Sequence, residues 1–130
     1  MNNKLEKLVF PIKCKKVTKA IPLDEVCSLE TVGKKVKITA IDGDYFINAP
    51  ISMYEEYLTG SFVHVRKHLI INFDRVDKIE NNIIYLENGY FITASVQSMI
   101  DTKRKYAAYI HMPNYAKVFY IKPENENNKK

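Results

Sequence analysis

The sequence predicts a mostly-β single domain with one short internal helix and one longer helix near the C-terminus, and three observations carry that expectation. Short apolar runs with strand-like alternation recur from Leu8 to Thr93. Two-residue turn signals separate them: Asp42-Gly43, Asn81-Asn82 and Asn88-Gly89. From Ser95 the apolar period lengthens to that of an α-helix, which Pro113 ends. The 130 residues leave room for one core, and 46% hydrophobic with 12% aromatic content is that of an ordinary globular chain.

In order, residues 1–7 are polar and read as frayed. Residues 8–14 read as a first strand, made an edge by Pro11, with Lys13, Lys15 and Lys16 discouraging pairing with another chain. Ile21-Pro22-Leu23 reads as a turn into a second strand at 26–30. The basic Gly33-Lys34-Lys35 loop leads to a third, in which Val36, Ile38 and Ala40 face the core while Lys35, Lys37 and Thr39 face water. Asp42-Gly43 turns into a fourth strand at 45–47. Pro50 then suits the first turn of a short helix with Ile51, Tyr54 and Leu58 at near-helical spacing, Glu55 and Glu56 on its exposed face, and Gly60 as its stop.

Residues 62–72 alternate at first, with Val63 and Val65 to one face and His64 and Arg66 to the other. The stretch passes a basic knot at Arg66, Lys67 and His68, then re-enters an apolar run ending at Asn72. A meander of three strands follows, at 76–80, 83–86 and 90–93. In the last helix Val96, Met99, Ile100, Tyr106, Ala107 and Ile110 form a stripe, and Ser98 with Asp101 has capping-box spacing. Residues 118–121 read as an added terminal strand and 124–130 as a disordered polar tail. No internal repeat or interdomain linker is visible.

Several function classes are excluded. No apolar run approaches the roughly 20 residues that cross a bilayer, and MNNKLEKLVF lacks a secretory h-region; a cytoplasmic protein without membrane insertion is expected. Neither Cys14 nor Cys27 lies in a C-x-x-C pattern, so no disulfide framework or zinc site is expected. His64 and His68, four apart across a strand and a turn, are not juxtaposed as they would be on a helix. Four scattered glycines build no phosphate-cradling loop, and acid pairs such as Asp42/Asp44 lie where solvation is their ordinary state. The expectation is a non-enzymatic protein without cofactor or metal.

Charge points to a partner. Residues 1–37 hold nine Lys against four acids, while residues 38–130 hold eleven of each sign, so the net charge of +5 sits in the first third. A chain with a pI of about 9.1 through one basic region is predisposed to anions such as nucleic acid. A strand that ends in cations at Arg66 and resumes after His68 exposes a backbone corner suited to phosphate or base edges.

The 62–72 stretch resembles the signature of the LytTR family of bacterial DNA-binding domains, roughly F-x-R-x-H-R-S-Y-L-V-N. Phe62, Val65 and Asn72 match its Phe, apolar spacer and Asn, and Ile70 and Ile71 its apolar pair. His64 stands at its Arg, Arg66 at its His, Lys67 at its Arg or Asn, His68 at its Ser and Leu69 at its aromatic. The resemblance runs from about Ile21 to about Ile110: Leu29-Glu30 is similar to the family's strand end, Glu87-Asn88-Gly89 to its hairpin turn, and Ala94-Ser95-Val96 to the region opening its last helix.

That resemblance implies an elongated, multi-stranded LytTR-like β domain over 21–112, flanked by an N-terminal edge strand and basic segment at 1–20 and by the extra strand at 113–123. It implies loops that enter successive grooves of double-stranded DNA and so regulate transcription. The implied DNA-binding residues are Lys34, Lys35, His64, Arg66, Lys67, His68, Gln97 and Ser98. Gln97 stands where the A-S-V-R string of the accessory-gene-regulator branch has a base-reading Arg, while His68 and Ser98 match phosphate positions. The family implies paired direct repeats and two copies on DNA, as a homodimer or as neighbours; since 130 residues leave no space for the receiver domain that most members carry, the expectation is either an isolated domain or a regulator controlled by its abundance or by a regulatory protein partner. The rivals are a protein-interaction module on the same fold that has lost specific DNA binding, and a single-strand binder using some of its nine Tyr.

Overall fold

The computed structural model describes residues 9–13 and 17–113. Their strands are β1 (Val9–Lys13), β2 (Thr18–Pro22), β3 (Val26–Val32), β4 (Lys35–Ala40), β5 (Gly43–Ile47), β6 (Phe62–Arg66), β7 (Leu69–Asn72), β8 (Val76–Glu80), β9 (Ile83–Leu86) and β10 (Phe91–Thr93). A 3-10 helix, Ile51–Tyr57, links β5 to β6, and an α-helix, α1, covers Val96–Ile110. All pairings are antiparallel: β1 with β2, a central sheet ordered β5-β4-β3-β7-β6, and a meander ordered β10-β9-β8.

The central sheet is buried on both sides. Phe10, Ile12 and Ile21 of the β1–β2 hairpin, with Ile51, Tyr54 and Leu58 around the 3-10 helix, cover Leu29, Ile38 and Ile70 on one face. On the other, Ile84 and Leu86 of the meander and Met99 and Tyr109 of α1 cover Val65, Leu69 and Ile71. A strand with a core on each side has no wet positions, which is why β7 reads as an unbroken apolar run. Phe10, fully buried and stacked on Tyr54 at 5.0 Å between ring centres, contributes roughly 2 kcal/mol of transfer free energy alone.

Asn81 and Asn82 take φ of 54° and 61°, the left-handed pair that a tight β8–β9 turn requires. Other expectations are corrected. Ile21-Pro22 ends a strand rather than forming a turn: Pro22 pairs with Val9 at the end of a two-stranded hairpin, where a missing N–H is tolerated, and the turn is the 3-10 segment Leu23–Glu25. Ala40 pairs with Gly43, so the β4–β5 loop is Ile41-Asp42, and Gly43 opens β5 at φ 144°. Thr39 is buried rather than wet, because the meander reaches over β4 and β5: the Tyr90 hydroxyl donates to Asp44 Oδ2 at 3.0 Å and its ring lies 5.3 Å from Lys37 Nζ.

In α1 the buried side is Met99, Thr102 and Tyr109 with Tyr106 beside them, while Val96, Ile100, Ala107 and Ile110 are exposed. Thr102 is compatible with burial because its hydroxyl donates to the Ser98 carbonyl at 2.8 Å, a pairing invisible to a count of apolar positions. The N-cap is Ser95, whose Oγ accepts from the Ser98 N–H at 3.1 Å. Asp101 instead faces Gln97 and Arg104. The segments at 118–121 and 124–130 lie outside the described residues.

The C-terminal end of α1 is pinned by the Tyr109 hydroxyl, which donates to Asp74 Oδ1 at 2.6 Å. Burial, and then that carboxylate, push the phenol's pKa well above its ordinary range. Tyr109→Phe is expected to lower stability by about 1–2 kcal/mol in urea unfolding, with the β3–β4 and β6–β7 turns unaffected.

Candidate nucleic-acid interface

Three of the segments singled out in the sequence meet at one end of the molecule, and strand direction places them there. β3 runs toward its turn at Gly33-Lys34 and pairs antiparallel with β7, which starts just after the turn at Lys67-His68; Glu30 lies opposite Leu69. The backbone closes the junction, with the Thr31 N–H donating to the His68 carbonyl at 2.9 Å. Both basic turns therefore project from the same edge of the same sheet. Gly33 sits at φ 64°, a left-handed conformation that suits glycine and brings Lys34 to the tip.

The third segment is held there by Arg66. Opposite residues of an antiparallel pair project to the same face, and the register runs His64 to Ile70, then skips, and resumes at Arg66 to Leu69. The extra residue, Val65, makes a β-bulge. Ile70 belongs to the core under the 3-10 helix and Leu69 to the core under α1, so the bulge sends His64 and Arg66 to opposite faces. The simple alternation read from sequence, with both on one face, is corrected at this point. Arg66 Nη2 lies 3.5 Å from Glu30 Oε2, and its Nη1 donates to the Thr93 carbonyl at 3.3 Å. Thr93 is two residues before the Ser95 cap, so the start of α1 stands beside the β6–β7 turn.

Lys34, Lys35, Lys67 and His68 are exposed, and the three lysines have no side-chain partner among the described residues. Gln97 is exposed in the first turn of α1, its Nε2 donating to Asp101 Oδ1 at 3.3 Å, and Asp101 also takes Arg104 Nη2 at 3.1 Å. Ser98 is partly buried in the capped first turn. His64 does not project from this end: its Nε2 is 3.2 Å from Glu55 Oε2, with both side chains only 14% exposed. Glu55, read from sequence as exposed, is corrected by the same contact, since the 3-10 helix packs against β6; Glu56 is exposed as expected.

One neighbour went unnoticed in the sequence. Thr93 pairs with Ile83, so the Asn81-Asn82 turn reaches the same end as Thr93, and Lys103 Nζ of α1 donates to Asn82 Oδ1 at 3.2 Å. The signal was available, because successive turns of a meander alternate ends and the β8–β9 turn had to fall opposite Asn88-Gly89. The arrangement as a whole is an exposed, mainly cationic rim of turns backed by a capped helix start. Among the described residues no cluster of His, Cys, Asp or Glu could hold a metal ion, and no helix is long and apolar enough to cross a membrane.

Comparison with known proteins identifies the family and the fold. Residues 16–107 match the LytTr DNA-binding domain family. Among solved structures, the chain is similar to the LytTr DNA-binding domain of a Bacillus cereus protein assigned as a methyl-accepting/DNA response regulator. The two share 22% identity and superpose with a TM-score of 0.66, over 78% of this chain and 97% of the other. No curated protein sequence matches.

Proposed function

Since the chain belongs to the LytTR family of DNA-binding domains, we propose that it binds double-stranded DNA sequence-specifically and thereby regulates transcription. The observation that carries this reading is the convergence of the Gly33-Lys34 turn, the Lys67-His68 turn and the start of α1 on one end of the sheet stack. Lys34, Lys35, Lys67 and His68 would hold phosphates and set register, Ser98 would offer a phosphate contact at the helix start, and Gln97 would read a base edge. Asn82 and Lys103 join the surface as phosphate neighbours. His64 would act on the interior side of β6, through Glu55, rather than by contact. The DNA would carry paired direct repeats occupied by two copies. The reaction class is binding alone, without catalysis or cofactor, and the site of action the cytoplasm.

Gln97 makes this testable. A glutamine pairs bidentately with adenine N6 and N7, with each good pair worth about 1–3 kcal/mol of discrimination. Gln97→Ala is therefore expected to erase preference at one base pair of a duplex selected from a random pool, while binding to unrelated duplex stays within about twofold. Equal losses on every sequence would remove Gln97 from base reading, and a wild-type protein with no preference among duplexes would overturn the whole reading.

A second reading, a protein-interaction module, is favoured by the exposed apolar stripe of Val96, Ile100 and Ile110 on α1. The two separate by titrating duplex at several salt concentrations. A specific binder gives a steep log–log slope and keeps its preference; an interaction module gives neither.

A further inference from the structure

We infer that Glu30 is a positioning residue of the DNA interface, acting through Arg66 to hold the two basic turns and the start of α1 in one fixed spacing. This rests on the DNA-binding reading above. By charge alone, Glu30 is misplaced: a carboxylate between two cationic turns repels a polyanion. It lies opposite Lys37 on β4 and opposite Leu69 on β7, so its side chain stands between the two hairpins on the face that α1 covers. Arg66 reaches it only because the Val65 bulge turns the guanidinium off the face of His64.

Once turned, the guanidinium joins its own strand to two others. It grows from β6, meets Glu30 of β3 at 3.5 Å, and donates to the Thr93 carbonyl of β10 at 3.3 Å. Its planar fork fixes directions as well as distances, which a lysine ammonium would not. Glu30 is what keeps that fork aimed inward, since Arg66 is 45% exposed and would otherwise turn to water or to a phosphate. With the fork released, Thr93 and the helix start two residues beyond it lose their reference to the β6–β7 turn. Base reading needs a few atoms of different loops placed together, whereas phosphate attraction does not. Specificity, not general affinity, depends on Glu30.

The sign of one substitution separates positioning from charge. Glu30→Gln removes a negative charge from the interface, so electrostatics alone predicts tighter binding to every duplex. Positioning predicts that preference for the selected duplex over an unrelated one of equal length falls about five- to tenfold, within the range by which residues away from a ligand modulate its site. Unrelated duplex would bind as well as before or better, and the melting temperature would be unchanged because the pair is exposed. Arg66→Ala should produce the same fall with an unaltered salt slope, and the double variant no more than either alone. Tighter binding of Glu30→Gln to both duplexes overturns the inference, as does a flattening of the Arg66→Ala slope by about one unit, the mark of a direct phosphate contact. If wild-type protein discriminates and Glu30→Gln does so equally, only the role of Glu30 falls; if wild type does not discriminate, the DNA reading falls with it.

Discussion

Asn72→Ala is expected to cost about 3 kcal/mol of folding stability, read as a lowered urea midpoint. Asn72 is fully buried at the end of β7, its Nδ2 donating to the Val26 carbonyl at 2.8 Å and its Oδ1 accepting from the Asp74 N–H at 3.0 Å. Alanine leaves a buried carbonyl and an amide without these partners and opens a small void, and each loss is worth one to a few kcal/mol. Asn72→Asp should be worse at neutral pH, because a carboxylate still accepts from Asp74 but faces the Val26 carbonyl with no proton to give. A loss below about 1 kcal/mol for Asn72→Ala would show that the β3 to β7 junction is held by the ladder alone. Asn72 thus ties the end of β7 to the start of β3 and to the following 3-10 turn through hydrogen bonds inside the core.

The second large effect is on binding. Replacing Lys34, Lys35 and Lys67 together by Ala is expected to lower affinity for all duplexes by roughly two to three decades near 0.1 M salt and to flatten the log–log salt slope by about 2.7 units, one counterion per lost phosphate contact. The three side chains are exposed and make no side-chain hydrogen bond or ion pair among the described residues, so thermal unfolding should not move. Mobility-shift or anisotropy titrations at four or more salt concentrations measure both quantities. An unchanged slope would place the polyanion somewhere other than these two turns.

How much of this was legible in the sequence follows from which forces are local. Turns with left-handed residues announce themselves, and Asn81-Asn82 and Asn88-Gly89 do join the strands of the meander, though the second loop takes in Glu87 and the last strand starts at Phe91 rather than Tyr90. The mostly-β class and the basic corner at Arg66 to His68 follow from alternation, which local side-chain pattern controls. What escaped was tertiary. β2 has Thr18, Lys19 and Ala20 exposed and so offers no apolar alternation to detect. The bulge at Val65 changes no residue type, yet it reverses where Arg66 points. Ser95 rather than Ser98 caps α1, a choice between two serines three residues apart that spacing alone does not make. The stripe of α1 was misjudged because Val96, Ile100 and Ile110 are apolar but exposed, and Thr102 is polar but buried.

The inner strands β3 and β7, covered on both faces, leave the tips of their hairpins free of the core. Lys34 and Lys67 sit on those tips, so side chains there can be exchanged without disturbing either core. General affinity in such a scaffold should therefore be adjustable by itself: turn sequences with more or fewer lysines grafted onto these two loops would raise or lower binding to every duplex alike while the melting behaviour stays the scaffold's own.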